Sequence, residues 1–341
     1  MDASPWMSVL AVAVALGVDR AWGEPPLRWH PVVWVGQYLM WMGERIAPPA
    51  TPAPAASATS VAPADWGAFG LGVAAWMGGA AFFVSLAWGL QNSLLGLGVA
   101  DAAGQPAWGW LGQVGAAVGV GLLLKPMLAW RMLEQEVQAV EAALQTSLEQ
   151  GRERLSWICS RDTHSLNEAQ VRETAIESLA ENLNDSVIAP LCWFVALGLP
   201  GAVLYRFANT ADAMWGYRGE REGRVWEWAG KWAARADDVL SWVPARITAA
   251  LLLVGARHRA WGVVWHQARQ TPSPNSGWPM AAMALALNVR LEKPAVYVLH
   301  PQGQLANAAH TLQACDLARR AVWLGVLTWA GLALLGGAWH G

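Results

Sequence analysis

Residues 161–190 read RDTHSLNEAQVRETAIESLAENLNDSVIAP. Ser165 with Glu168 three positions later fits a capping box and predicts a helix beginning there. On that helix Glu177, Glu181, Asn184 and Asp185 fall within about 100° of arc at 3.6 residues per turn. No Lys or Arg stands four residues away to pair with them, and like charges at that spacing repel. The stripe asks for a cation. A divalent metal held by Glu177, Glu181 and Asp185 is one answer, since hard oxygen ligands suit Mg²⁺ carried with phosphates. A substrate amine is another, and a solvated acidic face is the plain alternative. The chain then turns apolar, and acids beside a membrane are expensive unless used.

Three further clusters carry polar residues at usable spacing. In residues 205–246, Asn209 and Asp212 share a helix face, and Asp237 and Asp238 lie between Arg235 and Arg246. Arginines in this setting suit bidentate carboxylate or phosphate recognition, or ordinary ion pairs. In residues 271–291 a Pro/Gly-punctuated loop leads into a helix, so Asn275, Ser276 and Gly277 either offer backbone N–H groups to an anion or form a simple cap. Residues 19–36 contain His30, which alone is more often structural than catalytic. Cys159, Cys192 and Cys315 are isolated and suggest neither a zinc site nor a disulfide framework. The chain lacks G-x-x-x-x-G-K-[ST], H-E-x-x-H, G-x-S-x-G and a strand-linked G-x-G-x-x-G. A P-loop ATPase, zincin, α/β-hydrolase or Rossmann oxidoreductase is therefore unsupported.

The elements that position these residues must sit in or on a membrane. Of 341 residues, 55% are apolar and 14% charged, against about 25% charged in soluble domains. Disorder is excluded, and near-balanced charges (23 Lys and Arg, 25 Asp and Glu) disfavour a nucleic-acid partner. The 24 Trp residues suit the membrane–water interface. Spans are expected near 6–18, 66–90, 107–130 and 318–339, within a single domain over 1–341. Val187–Phe207 is apolar but interrupted by Pro190, Gly198, Pro200 and Gly201, and reads as re-entrant or broken; Ile247–Ala256 is too short to cross alone. Of the 23 basic residues, 17 lie between Arg131 and Lys293, which places the polar region 131–317 on the cytoplasmic side of an inner membrane, with both termini outside. Pro48–Pro63 reads as a flexible linker. Gly115, Gly119 and Gly121 suit close helix packing. The fold class expected is all-α: a polytopic membrane protein with a membrane-apposed cytoplasmic helical region.

Taken together, the clusters resemble the CbiB/CobD family of cobalamin-biosynthesis membrane proteins, the adenosylcobinamide-phosphate synthases. Asp19…Gly23-Glu24-Pro25…His30-Pro31-Val32…Gly36 is similar to the family's D…GDP…HPV…G pattern. Arg161-Asp162-Thr163 matches RDT, and Glu177-Ser178…Ala180-Glu181-Asn182…Asp185…Ala189-Pro190 matches ES-x-AEN-x-x-D…AP. Asn209-Thr210…Asp212…Met214…Gly216-Tyr217 matches NT-x-D-x-M-x-GY. Ala234-Arg235…Asp237-Asp238…Pro244-Ala245-Arg246 matches AR-x-DD…PAR, and Pro274-Asn275…Gly277 matches PN-x-G. Departures are Glu24 for Asp, Ser186 for Gly, Met280 for an acid, and the loss of two glycine-rich stretches after residue 284.

The resemblance implies ATP-dependent amide formation between a corrinoid carboxylate and aminopropanol or its phosphate, with Mg²⁺ and no tightly bound cofactor. Glu181, Asp185, Asp212 and His30 would then be catalytic. Arg161, Asn182, Asn209, Arg235, Asp237, Asp238, Arg246 and Asn275 would bind substrate. Glu181, Asp185, Asn209, Asp212, Arg235 and Asn275 should converge on one cavity, rimmed by Trp215, Trp226 and Trp228 and floored by the broken apolar segments. The competing class is a non-catalytic membrane sensor like the AmpE branch; a transporter ranks third.

Overall fold

The computed structural model describes residues 4–50, 64–96, 109–159 and 161–339. Most of the expected linker, residues 51–63, and the first two residues of the expected third span lie outside that set. The described end of the linker is tied down: the Val225 amide donates to Pro48 O and the Ala50 amide to Gly223 O.

The fold is all-α apart from two small β-ladders. Helices α1 (Pro5–Trp22) and α4 (Gly109–Leu124) run parallel, with Met7 beside Ala116 and Ala117, Gly121 against Ala11 and Val14, and Lys125 beside Asp19. Gly119 likewise admits Leu94, whereas Gly115 has no close neighbour among the described residues. Helix α2 (Pro31–Ile46) lies against α3 (Trp66–Gly96). At 31 residues, α3 is about 46 Å long, more than the ~30 Å of a bilayer core. It shows Leu71, Met77, Phe82, Leu86, Trp88 and Leu90 to the outside. Helices α5 (Trp130–Thr146), α6 (Leu148–Leu155) and α7 (Glu168–Leu183) follow, then α8 (Ala189–Trp215). Strands β1 (Glu220–Arg221) and β2 (Arg224–Val225) precede α9 (Lys231–Leu240), α10 (Trp242–Gly255), α11 (Trp261–Ala268) and α12 (Gly277–Leu287). Strands β3 (Leu291–Lys293) and β4 (Tyr297–Leu299) lead to α13 (Ala308–Trp339).

Four described helical runs are long and apolar enough to cross a membrane, or five if the 45° bent pair α9–α10 counts as one span. The protein is multi-pass. The four are not quite the expected set. Helix α1 carries Asp19 and Arg20 in its last turn and falls outside it, while Glu168–Trp215 enters it. That 48-residue run is not straight, however. Gly198 has φ 69° and ψ −159° inside α8, a conformation open to glycine alone. Beyond it the chain turns back: Tyr205 Oη donates to Asp185 Oδ1 at 3.3 Å, and Arg206 Nη1 donates to Asp185 O at 3.1 Å. A straight helix would hold residues 185 and 206 about 30 Å apart. The expected re-entrant segment is thus a helical hairpin. Gln91 of α3 closes its tip by accepting from the Leu199 amide at 2.7 Å.

Two expectations are corrected. Helix α7 is capped by Asn167, not Ser165: Asn167 Oδ1 accepts from the Gln170 amide at 3.0 Å and Gln170 Oε1 accepts from the Asn167 amide at 2.9 Å. Glu168 is already helical and pairs with Arg172 at 3.3 Å. The second concerns the tryptophans. Trp215 and Trp226 form no rim but lie buried with Trp76 and Phe207 in the core between α2, α3 and α8. Trp215 Nε1 donates to Leu39 O at 3.0 Å, the partner a buried indole needs. Trp228 packs against Trp66 at a tilt of 54°, 5.1 Å between ring centres.

Candidate functional site

The C-terminal half of α7 runs into a π-turn, Asn184–Ile188. A π-turn adds a residue per turn and re-aims the side chains around it. Asn184 points inward, accepting from Thr248 Oγ1 at 3.1 Å and donating to Asp185 Oδ1 at 2.8 Å. Asp185 thereby faces a cavity of about 390 Å³, whose walls also carry Glu181, Asn209, Asp212, Asp237, Asp238 and Asn275. Five of the six residues expected to converge do so, from three segments: α7 with its π-turn, α8, and the loop before α12. Arg235 does not. Its side chain is 74% exposed and reaches only Asp238, at 3.9 Å.

A second layer of hydrogen bonds fixes this wall. Arg206 also faces Ser186 Oγ at 3.3 Å and Asn209 Oδ1 at 3.5 Å. Asn209 Nδ2 donates to Asp237 Oδ1 at 3.4 Å, and Tyr205 Oη lies 3.1 Å from Ser241 Oγ. Arg246 stands behind the lining, stacked on Trp242 and Trp278. Its Nη1 donates to Asn275 Oδ1 at 2.8 Å, and Asn275 Nδ2 donates to Asp238 O at 2.7 Å. Arg246 therefore aims Asn275 and does not line the cavity itself.

A second chamber of about 310 Å³ shares Glu181, Pro272, Ser273 and Ser276 with the first. Its own lining includes Arg161, Glu177, Asn182, Met280, Lys293 and Tyr297. Asn182 is partly committed, donating to Ser178 O at 2.9 Å. Arg161 pairs with Glu177 at 2.6 Å and donates to Thr174 Oγ1 at 3.1 Å. Burial acts to lower the Arg161 pKa, yet the adjoining Glu177 carboxylate raises it on balance. Burial, reinforced by Glu177, pushes the Tyr297 phenol up, so it remains a neutral donor.

The two chambers differ in charge. Five carboxylates face the first against the single guanidinium of Arg218; the second sets Arg161 and Lys293 against Glu177 and the shared Glu181. The expected metal set is divided: Glu177 is held by Arg161 in the second chamber, Asp185 lines the first, and Glu181 is on the wall between. Among the described residues no three of His, Cys, Asp and Glu are grouped closely enough to hold an ion alone. The first chamber's oxygen donors do suit Mg²⁺, which binds through one or two carboxylates and takes further ligands from phosphates.

His30 is not brought to either chamber. Its Nε2 lies 3.0 Å from Glu24 Oε2, and its Nδ1 accepts from the Val32 amide at 3.2 Å, capping α2. Lys125, 3% exposed, lies 2.9 Å from Glu24 and 3.3 Å from Asp19. Burial would raise the Glu24 pKa, but hydrogen bonds from His30 and Lys125 and the lysine's charge lower it on balance.

A family model described as CobD/Cbib protein matches residues 12–324. The chain belongs to the CobD/CbiB family. It is 40% identical to the cobalamin biosynthesis protein CobD of Chromobacterium violaceum, over 98% of this chain and 99% of that one. It is 37% identical to the probable cobalamin biosynthesis protein CobD of Methanothermobacter thermautotrophicus, over 96% and 98%. The Stutzerimonas stutzeri protein of the same name is 39% identical, over 98% and 99%. No solved structure matches. For this family the structure adds residues that motif reading did not single out: Arg206, Arg218, Ser241, Ser273, Lys293 and Tyr297. Rarity was the usable signal for one of them, since the chain has only three lysines, Lys125, Lys231 and Lys293.

Proposed function

We propose that the protein acts in cobalamin biosynthesis, joining aminopropanol or its phosphate to a corrinoid side-chain carboxylate as an amide. The observation that carries this reading is the wall shared by an acid-rich chamber and a chamber holding Arg161 and Lys293. An amine and a carboxylate need opposite electrostatic surroundings and must meet. Chambers of about 390 and 310 Å³ are at the small end of ligand pockets, so the carboxylate-bearing arm enters and the macrocycle stays outside.

Hydroxide is a poor leaving group, so the carboxylate needs activation. In this reading its oxygen attacks the γ-phosphorus of ATP, the P–O bond to ADP breaks, and an acyl phosphate forms. Arg161 and Lys293 bind the anionic oxygens, and Tyr297 donates a hydrogen bond. The Asp185, Asp212 and Asp237 wall holds the ammonium group, and the same carboxylates would hold Mg²⁺. Mg²⁺ there would neutralise charge on the transferring phosphoryl group. Glu181, on the shared wall, accepts a proton from the ammonium. The freed amine attacks the acyl carbon, and phosphate departs with the C–O bond electrons and takes up the second proton from the nitrogen. Asn209 and Asn275 orient the substrates. The apolar hairpin beneath excludes water from the activated acyl group.

The basic block 131–293 supports a cytoplasmic position for the chambers, since basic residues favour that side of a membrane. A membrane-impermeant maleimide added to intact cells should fail to label Arg221→Cys above the wild-type background; efficient labelling would overturn that orientation. The activity test is purified protein with adenosylcobyric acid, aminopropanol phosphate and Mg-ATP, read by mass. Formation of the amide with matching ADP release supports the reading. Corrinoid binding without turnover would favour the sensor.

A further inference from the structure

Away from both chambers, a cavity of about 740 Å³ opens between the end of α10 and the middle of α13. Its walls divide by chemistry. Arg257, Arg319 and Arg320 form one end; Trp323, Leu324 and Leu327 continue the other along α13. Arg319 is engaged by Glu134 and Asp316. Arg257 and Arg320 are exposed, and among the described residues neither has a carboxylate within 4.0 Å. Arg257 also sits at φ 56°, a left-handed conformation that costs a non-glycine residue about 1 kcal/mol or more and turns the chain at the end of α10.

The level of this cavity relative to the bilayer can be read from its neighbours. Glu134 joins Arg319 of α13 to Arg20 of α1. The Arg131 amide donates to Asp19 Oδ2 at 2.8 Å. The charged ends of α1 and α4 and the charged segment 316–320 within α13 thus stand at one height, where the apolar runs begin. One turn into the apolar part of α13, Trp323 meets Trp130 edge-on at 6.1 Å. A basic collar followed by tryptophan marks the headgroup boundary. Below it Leu327, 65% exposed, continues the lipid-facing side of α13.

We propose that this cavity is a binding site for an anionic phospholipid, with the phosphate on Arg257 and Arg320 and an acyl chain along Trp323, Leu324 and Leu327. Two arginines without protein carboxylates supply the charge complement, and basic pockets between membrane helices take anionic headgroups. A soluble phosphate would use the arginines but gain nothing from the apolar wall. A zwitterionic lipid would use the wall but carry its own cation to the arginines.

The test uses the full chain in detergent with short-chain phosphatidylglycerol, phosphatidylcholine and inorganic phosphate, read by native mass spectrometry. Phosphatidylglycerol should bind at one site per chain at least tenfold more tightly than phosphatidylcholine, and millimolar phosphate should not displace it. Arg257→Gln with Arg320→Gln should remove that preference, while the Lys pair at the same positions should retain most of it. Both arginines are exposed, and a thermal melt confirms that each variant is folded. Equal binding of the two lipids, an unchanged preference in the Gln pair, or displacement by phosphate would each overturn the proposal. Arg45→Gln, at an exposed arginine elsewhere, should leave binding unchanged; an equal loss there would mean diffuse charge and no site.

Discussion

Two polar clusters in this molecule come from equally well-matched motifs, yet they are built for opposite purposes. At the end of α1, Asp19 and Glu24 are answered by Lys125 and His30, and the Arg131 amide takes a remaining Asp19 oxygen. No described cavity opens onto them. At the mouth of the hairpin, five carboxylates, Glu181, Asp185, Asp212, Asp237 and Asp238, face one cavity whose lining holds Arg218 as its one cation, with Arg206 behind Asp185 and Arg235 at the edge of Asp238. A cluster whose carboxylates are paired with cations inside the protein joins helices, whereas one left in charge deficit is completed by what it binds. Motif matching alone does not separate these cases; counting opposite charges around each does.

The largest expected effect is on the unbalanced side. Glu181→Gln should reduce turnover by about 10²–10⁴-fold, the range for losing an acid–base group, with an unchanged melting temperature. Glu168→Gln, on the same helix but paired with Arg172 and 60% exposed, should be nearly silent. Equal losses from both would reduce the stripe to a solvated helix face.

On the balanced side the effect should be in stability instead. Lys125→Met removes the one lysine shared by buried Asp19 and half-buried Glu24 and should destabilise the protein by about 3–5 kcal/mol, read by thermal melting in detergent. The fraction still folded should turn over normally. Loss of turnover at full stability would make Lys125 part of the site.

Glu24 gives a smaller, pH-dependent difference. Its folded-state pKa is below the ordinary 4.5, so its contribution is complete above that value and disappears as pH falls through the folded one. Glu24→Gln should therefore narrow the gap to wild type under acid conditions, and a gap that widened instead would reverse the sign assigned to this carboxylate. Arg235→Gln should have the smallest effect, within about 1 kcal/mol, because its exposed side chain reaches only Asp238. A large increase in KM for the phosphorylated amine would restore it to the site.

The hairpin was legible in the sequence because its cause is local: Pro190, Gly198, Pro200 and Gly201 cannot all sit in one straight span. Convergence of Asp185, Asn209, Asp212 and Asn275 was likewise legible through the family motifs. The misplaced cap shows where local signals compete, since Ser165 and Asn167 both favour that position and tertiary packing, which buries Leu166, decides between them. Lys293 and Tyr297 were missed because β3 and β4 are only three residues each, too short for a period-two pattern. Only the pairing of Lys293 with Tyr297 brings both to the second chamber. The tryptophans misled for another reason. An amphipathic ring suits an interface, but Trp215 satisfies its indole N–H on Leu39 and can be buried outright.

The tip of the hairpin also has a bearing on how the protein is made. Neither arm is a complete crossing, and the backbone amide of Leu199 would be left bare in lipid unless something accepts from it. Gln91 does so, and it lies more than one hundred residues earlier in the chain. The receiving helix is therefore synthesised first, and the hairpin enters against a partner already in place. Gln91→Leu should slow membrane integration of this segment more than it harms the mature protein, making α3 a scaffold during biogenesis before it is a wall of the finished molecule.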